Sequence, residues 1–289
     1  MLEYTSSSRS LLSFQAALLL LAFAAPGSGT FAVAQTPDPP PPHNSLPDAP
    51  QPQTAPSSRC DAYDVTIRNS LNILLCDQKG IWTSPARLRT HDLEWIAPLT
   101  LATGAAIATD HRTMTQVVSR NEPFNDANVD ASNTLMGLWI AAPVVVYGYG
   151  HFKQDDRARE TGLLSAESIL DAQIVLQSLK LVFWRERPTV DDSRGRFFQG
   201  GVDSSFPSGH SMTSFAIASA FAAESNSHWT QFGLYAGAAG VGLTRIMGQK
   251  HFPSDVLVGS SLGWLVGHYV VRHHHHPLKT LIAQHRGEL

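Results

Sequence analysis

Residues 229–247 read Trp-Thr-Gln-Phe-Gly-Leu-Tyr-Ala-Gly-Ala-Ala-Gly-Val-Gly-Leu-Thr-Arg-Ile-Met, and this stretch decides the fold class. The small side chains from Ala236 to Gly240 let neighbouring backbones come close. Strand-like alternation of period two is missing. Apolar segments also fall near 95–109, 134–149, 163–185, 211–223 and 255–272. Upstream, Tyr63, Ile67, Leu71, Leu74 and Leu75 recur at helical spacing, which predicts an amphipathic helix over 61–76 that pads the core. The expected fold is all-α, a helical bundle.

Composition narrows the class. Only 16% of the 289 residues are charged, against roughly a quarter in an ordinary soluble domain. Hydrophobic residues make up 43%, yet mean hydropathy is −0.09 and formal net charge −3. A disordered chain would carry more charge and less apolar content. A nucleic-acid binder would carry a basic excess. The longest charge-free stretches beyond residue 58 are 131–152 and 225–244, but Pro143, Asn226 and Gln231 interrupt them. A bilayer span takes about 20 mainly apolar residues, so these helices suit a soluble or peripheral bundle, with membrane insertion as the alternative.

The amino terminus is laid out for export. Leu11 to Ala25 is free of charge, Arg9 precedes it, and Ala32-Val33-Ala34 offers a small-residue cleavage pattern. Residues 1–34 read as a signal peptide, or alternatively as an uncleaved anchor helix. Residues 35–58 are a Pro-rich, disordered spacer, with nine prolines between 36 and 58. Residues 59–289 remain as the helical domain, expected in the periplasm or at a membrane surface facing it. Cys60 and Cys76 lie in this exported part, where they can pair or stay as separate thiols.

Three clusters carry chemistry. Lys180 and Arg187 are seven residues apart, two helical turns, so both are expected on one face of a helix that Pro188 ends. Two fixed cations suit an anion with several oxygens. Phe206-Pro207-Ser208-Gly209-His210 runs into an apolar stretch: Ser208 or Ser211 can cap the helix, and Gly209 lets backbone approach a ligand. The N–H groups of that helix start form a phosphate cradle, with His210 at its mouth. Thr244-Arg245 precedes His251 and Asp255, a carboxylate four residues on that can fix the imidazole tautomer. Arg245 supplies a third cation. Combined, the clusters offer cations for the oxygens of a transferring phosphoryl group, one histidine to attack and one to protonate the leaving oxygen.

Two further groups carry less weight. Consecutive histidines His273 to His276 point around a helix, so they read as a polar helix end. Asp110-His111-Arg112 reads as a solvated turn, or alternatively as lining the pocket mouth.

The motifs Lys180-x6-Arg187-Pro188, Pro207-Ser208-Gly209-His210 and Arg245-x5-His251-x3-Asp255 resemble, in that order, the signature of the type 2 phosphatidic acid phosphatase superfamily. That superfamily also contains bacterial non-specific acid phosphatases and vanadium haloperoxidases. Thr244 stands where the signature usually has serine. The resemblance implies an all-α core, His251 as a nucleophile forming a phosphohistidine, Asp255 as its orienting partner and His210 as general acid. Lys180, Arg187, Ser208, Gly209 and Arg245 would bind phosphate, and no metal or other cofactor is implied. The expected substrate is a phosphorylated lipid or a small phosphoester. The alternatives are a vanadate-dependent haloperoxidase and a non-catalytic phosphate- or lipid-binding protein.

Overall fold

The computed structural model describes residues 66–201 and 203–274; the leader, the spacer, Cys60, His275 and His276 lie outside the described residues. Among the described residues the regular structure is helical, with no strand. The helices are α1 (Ser70–Thr83), α2 (Leu93–Gln116), α3 (Glu122–Lys153), α4 (Asp156–Phe183), α5 (Gly209–Glu224), α6 (His228–Met247) and α7 (Pro253–His274). Short 3₁₀ turns cover Ser84–Arg87, Thr90–Asp92 and Asp191–Ser193.

Local chemistry sets where the helices begin. Asn121, Asp155 and Ser227 each accept the backbone N–H three residues on, capping α3, α4 and α6. Pro123 supports the start of α3, where no intrahelical donor is needed. The predicted helix over 61–76 is shifted in the described residues: it starts at Ser70 and continues to Thr83. Leu71 and Leu75 are more than half exposed, so it pads less core than expected, burying Ile73 and Asp77. Cys76 on this helix is disulfide-bonded.

Helix α5 is the centre of the bundle. Its residues Met212, Ala216 and Ala220 pack with Leu164, Leu176 and Val270 of α4 and α7. On the other side Ile217, Phe221 and Ala222 meet Trp139 of α3 and Leu234 and Ala238 of α6. A helix apolar on every side is a buried one. Its closest neighbour is α7, whose glycines bring the two backbones together. A Cβ at Gly259 would stand 2.5 Å from the Ser208 carbonyl oxygen, and one at Gly263 would land on that of Met212. This contact aligns the start of α5 with the start of α7, where the second and third sequence motifs lie.

Candidate active site

The three motifs meet at the amino-terminal ends of α5 and α7. Lys180 comes from the last turn of α4, and Arg245 from the last turn of α6. The expectation that Lys180 and Arg187 share one helix face is corrected. Helix α4 ends at Phe183, Trp184 turns left-handed at φ 38°, and Arg187 sits on the loop that follows. The two cations still act on each other, because the loop folds back: Phe198 N donates to Phe183 O and Ser205 N to Arg185 O.

Ser208 is fully buried at the N-cap of α5, but its side chain caps nothing; its Oγ accepts from Ser211 Oγ at 3.0 Å. Its backbone N–H donates to the Asp255 carbonyl oxygen, tying the two motifs together. Gly209 opens α5 with Leu176 3.0 Å from where a Cβ would stand. The first N–H groups of a helix have no intrahelical acceptor, so this end favours an anion.

His251 is 3% exposed, with Nδ1 2.7 Å from the Ser205 carbonyl oxygen. A carbonyl can only accept, so Nδ1 carries the hydrogen and Nε2 presents its lone pair. Asp255 was the expected partner of this ring. Its Oδ2 stands 3.7 Å from Nδ1, too far for a hydrogen bond, and accepts from Phe252 N at 2.8 Å. Asp255 thus acts on His251 through charge, while the Ser205 carbonyl fixes the tautomer. Burial pushes His251 down, with Asp255 pulling the other way.

Around this ring the cations are held but not consumed. Arg245 is 7% exposed; its Nη1 donates to Ser132 Oγ and Asn133 Oδ1, while its Nε is buried without a partner. Burial and Arg187 push Arg245 down to about 10. Lys180 Nζ donates to Ser204 O at 2.5 Å and is lowered by burial, then by Arg187. Arg187 forks onto Asp203, at 2.6 and 2.9 Å, which holds that carboxyl below its usual range. His210 Nε2 lies 3.2 Å from Asn133 Oδ1. Burial, then Arg245, His251, Arg187 and Lys180, push His210 down to about 4. The predicted catalytic and phosphate-binding residues therefore fall in one cationic basin.

Sequence reasoning missed the residue beneath it. Arg185 is 1% exposed and lies between the Phe252 and Phe197 rings, 4.2 and 4.7 Å from their centroids. Its Nη1 reaches Asp255 Oδ1 at 2.6 Å and Ser254 Oγ at 2.7 Å; its Nη2 reaches Asp110 Oδ2 at 2.8 Å. Asp110 is no solvated turn: it is 1% exposed inside α2 and also accepts from Ser254. Burial raises it, against the pull of Ser254 and Arg185. Ser132, Asn133 and Asp203 were missed too, since nothing near them in sequence hints at an anion site.

Residues 162–277 match the PAP2 superfamily model. Over these residues the chain is similar to the PAP2 superfamily. Over 70 residues the chain is 43% identical to a lipid A 1-phosphatase of Porphyromonas gingivalis, covering 24% of this chain and 16% of that relative's length. A solved transmembrane PAP2-type phosphatidylglycerolphosphate phosphatase from Bacillus subtilis is 20% identical, with a TM-score of 0.44 over 70% of this chain and 92% of its own. Within the PAP2 segment lie Lys180, Arg185, Arg187, His210, Arg245, His251 and Asp255, while Asp110, Ser132 and Asn133 reach it from α2 and α3.

Proposed function

We propose that this chain is an exported, membrane-associated phosphatase that removes a terminal phosphoryl group from a phosphorylated lipid, without a metal, through a phosphohistidine on His251. The observation that carries this reading is the His251 ring, pinned through Nδ1 by a buried carbonyl, with the Nε2 lone pair presented beside Arg187 and Arg245. Nε2 attacks phosphorus and the P–N bond forms as the P–O bond to the leaving group breaks. His210 gives its proton to that leaving oxygen. Water then attacks the phosphohistidine, His210 takes up its proton, and phosphate leaves as the P–N bond breaks. Lys180, Arg187, Arg245 and the α5 amides hold the equatorial oxygens throughout.

A lipid is favoured over a soluble ester by an apolar groove of about 540 Å³ lined by Trp95, Leu99, Phe215, Val256, Leu257 and Trp264. It begins at Pro253, two residues past His251, and suits a hydrocarbon chain. The printed substrate of the lipid A 1-phosphatase relative is of the same class. Export rests on the leader of residues 1–34 and the spacer of 35–58.

The test is phosphate release by the purified protein from phosphatidate, a lipid A phosphate and p-nitrophenyl phosphate. Release should resist EDTA, be inhibited by vanadate and vanish in His251→Ala. Undiminished turnover by His251→Ala would overturn the mechanism, and turnover confined to the soluble ester would overturn the lipid assignment.

A further inference from the structure

A second set of titratable side chains is buried well away from the phosphate basin. Asp77, Glu167, Asp171 and His274 are each 2% exposed or less, between α1, α4 and the end of α7. His274 Nε2 meets Asp77 Oδ1 at 2.7 Å, and Gln78 Nε2 donates to Asp171 Oδ1 at 2.7 Å. The histidine run is thus more than a polar helix end, since its second member is buried in an ion pair. The remaining oxygens are stranded: both of Glu167, Oδ2 of Asp77 and Oδ2 of Asp171 are buried without a hydrogen-bond partner. Asp171 and Lys180 share α4 but stand nine residues apart, about 13.5 Å along its axis.

Charge balance makes this arrangement untenable if every acid is ionised. Three carboxylates would face one imidazolium out of reach of water, and buried groups in that position shed their charge. Among the described residues no three His, Cys, Asp or Glu side chains are placed to hold a metal ion. Protons remain as the neutralising species.

We infer that Asp77, Glu167, Asp171 and His274 form a proton-binding latch. Protons held by Glu167 and Asp171 keep α1 docked on α4 and α7, and their loss as pH rises releases α1. Helix α1 is the element free to respond, because it buries only Ile73 and Asp77. The groups acting on the two acids come from all three helices: Asp77, Gln78 and Ser70 of α1, each other on α4, and His274 of α7.

The direction of the linkage follows. Burial, with Asp77 adding, pushes Glu167 and Asp171 up to about 7, against the pull of Ser70, Gln78 and His274. Burial lowers His274, but Asp77, Glu167 and Asp171 raise it overall. All three groups bind protons more tightly docked than undocked. The docked state is therefore fully favoured below the ordinary carboxylate range and loses stability as pH climbs through about 7.

The test is hydrogen exchange of residues 70–83 in the full-length protein, corrected for intrinsic rate, at about pH 5.5 and about pH 8.5 on either side of that midpoint. Protection of α1 should fall by about tenfold or more across this interval while α5 stays protected. The double variant Glu167→Gln, Asp171→Asn should hold its protection at the higher pH. Unchanged protection in the wild-type chain, which needs no variant to fold, would overturn the latch. So would a double variant that keeps the wild-type drop. Recovery of wild-type protection at the higher pH on adding Mg²⁺, Ca²⁺ or Zn²⁺ would assign the cluster to a cation and overturn the proton.

Discussion

His210 is held at about 4 by burial and by Arg245, His251, Arg187 and Lys180, so its ring is neutral near neutral pH. A phosphate dianion seated among those cations cancels their field and restores the ring's affinity for a proton. Anion binding should therefore take up a proton at pH values between about 4 and the raised, bound-state value, and anion affinity should weaken as pH rises through the latter. Calorimetry of vanadate binding near neutral pH, in buffers of different ionisation enthalpy, measures that uptake directly. It should disappear in His210→Asn, and an equal heat in every buffer for the wild-type chain would remove His210 as the acid. Arg185 is a second case where one side chain decides the outcome. Removing one partner of a buried ion pair costs about 3–5 kcal/mol, because the remaining charge is left uncompensated. Arg185→Ala would strand both Asp110 and Asp255, so it should unfold more readily by about that amount and lose activity. Arg185→Lys keeps the charge but cannot span Asp110, Asp255, Ser254 and the Gly195 carbonyl together, so denaturant melts should place it between wild type and Ala.

At the scale of elements, the contact between α5 and α7 positions the groups proposed to react. Gly263 faces the Met212 carbonyl so closely that an added methyl has nowhere to go. Gly263→Ala should cost about 1–3 kcal/mol as the helices part. Because the same contact sets Ser208 against Gly259 and His251 against Ser205, thermal melts and phosphate release should fall together. Helix centres were legible in the sequence, since α5 and α6 are nearly continuous apolar runs. Helix ends were less so: α3 starts at Glu122, twelve residues before its apolar part, because Asn121 caps a polar first turn that apolar periodicity does not register. The site motifs were legible because their residues lie close together in the chain. Their geometry was only partly so. Asp255 sits four residues from His251, yet the ring's hydrogen bond goes to Ser205, a backbone carbonyl that no side-chain pattern announces. Asp110 reads as part of a solvated turn, and Asp77 carries no signal at all, because Arg185 and His274, which make their burial tolerable, lie 75 and 197 residues away.

For the molecule as a whole, α3 joins the cationic basin to an apolar exterior. Near its start it supplies Ser132 and Asn133 to Arg245 and His210, and Trp139 to the core. From Leu138 onward it exposes Leu138, Ile140, Val144, Val145 and Phe152, each between 47% and 85% accessible. It is the one helix among the described residues long and apolar enough to cross a membrane, and only 22% of its most apolar window is buried. A core helix of a water-soluble bundle would hide most of that surface. Exposed apolar area of this kind marks a protein or membrane interaction site, and a bilayer would also deliver the proposed substrate. Phosphate release from phosphatidate in vesicles should therefore depend on these exposed side chains, whereas hydrolysis of p-nitrophenyl phosphate should not. Val144→Glu with Val145→Glu places two carboxylates at exposed positions eleven or more residues along α3 from Ser132 and Asn133, about 16 Å or more down the axis. Carbonate-washed membranes should retain the wild-type chain and release the variant. The variant should keep its turnover of the soluble ester and lose most of its turnover of the vesicle-bound lipid. A wild-type chain found wholly in the aqueous fraction, with equal activity on both substrates, would detach the phosphate basin from the bilayer and leave α3's outer face without its proposed neighbour.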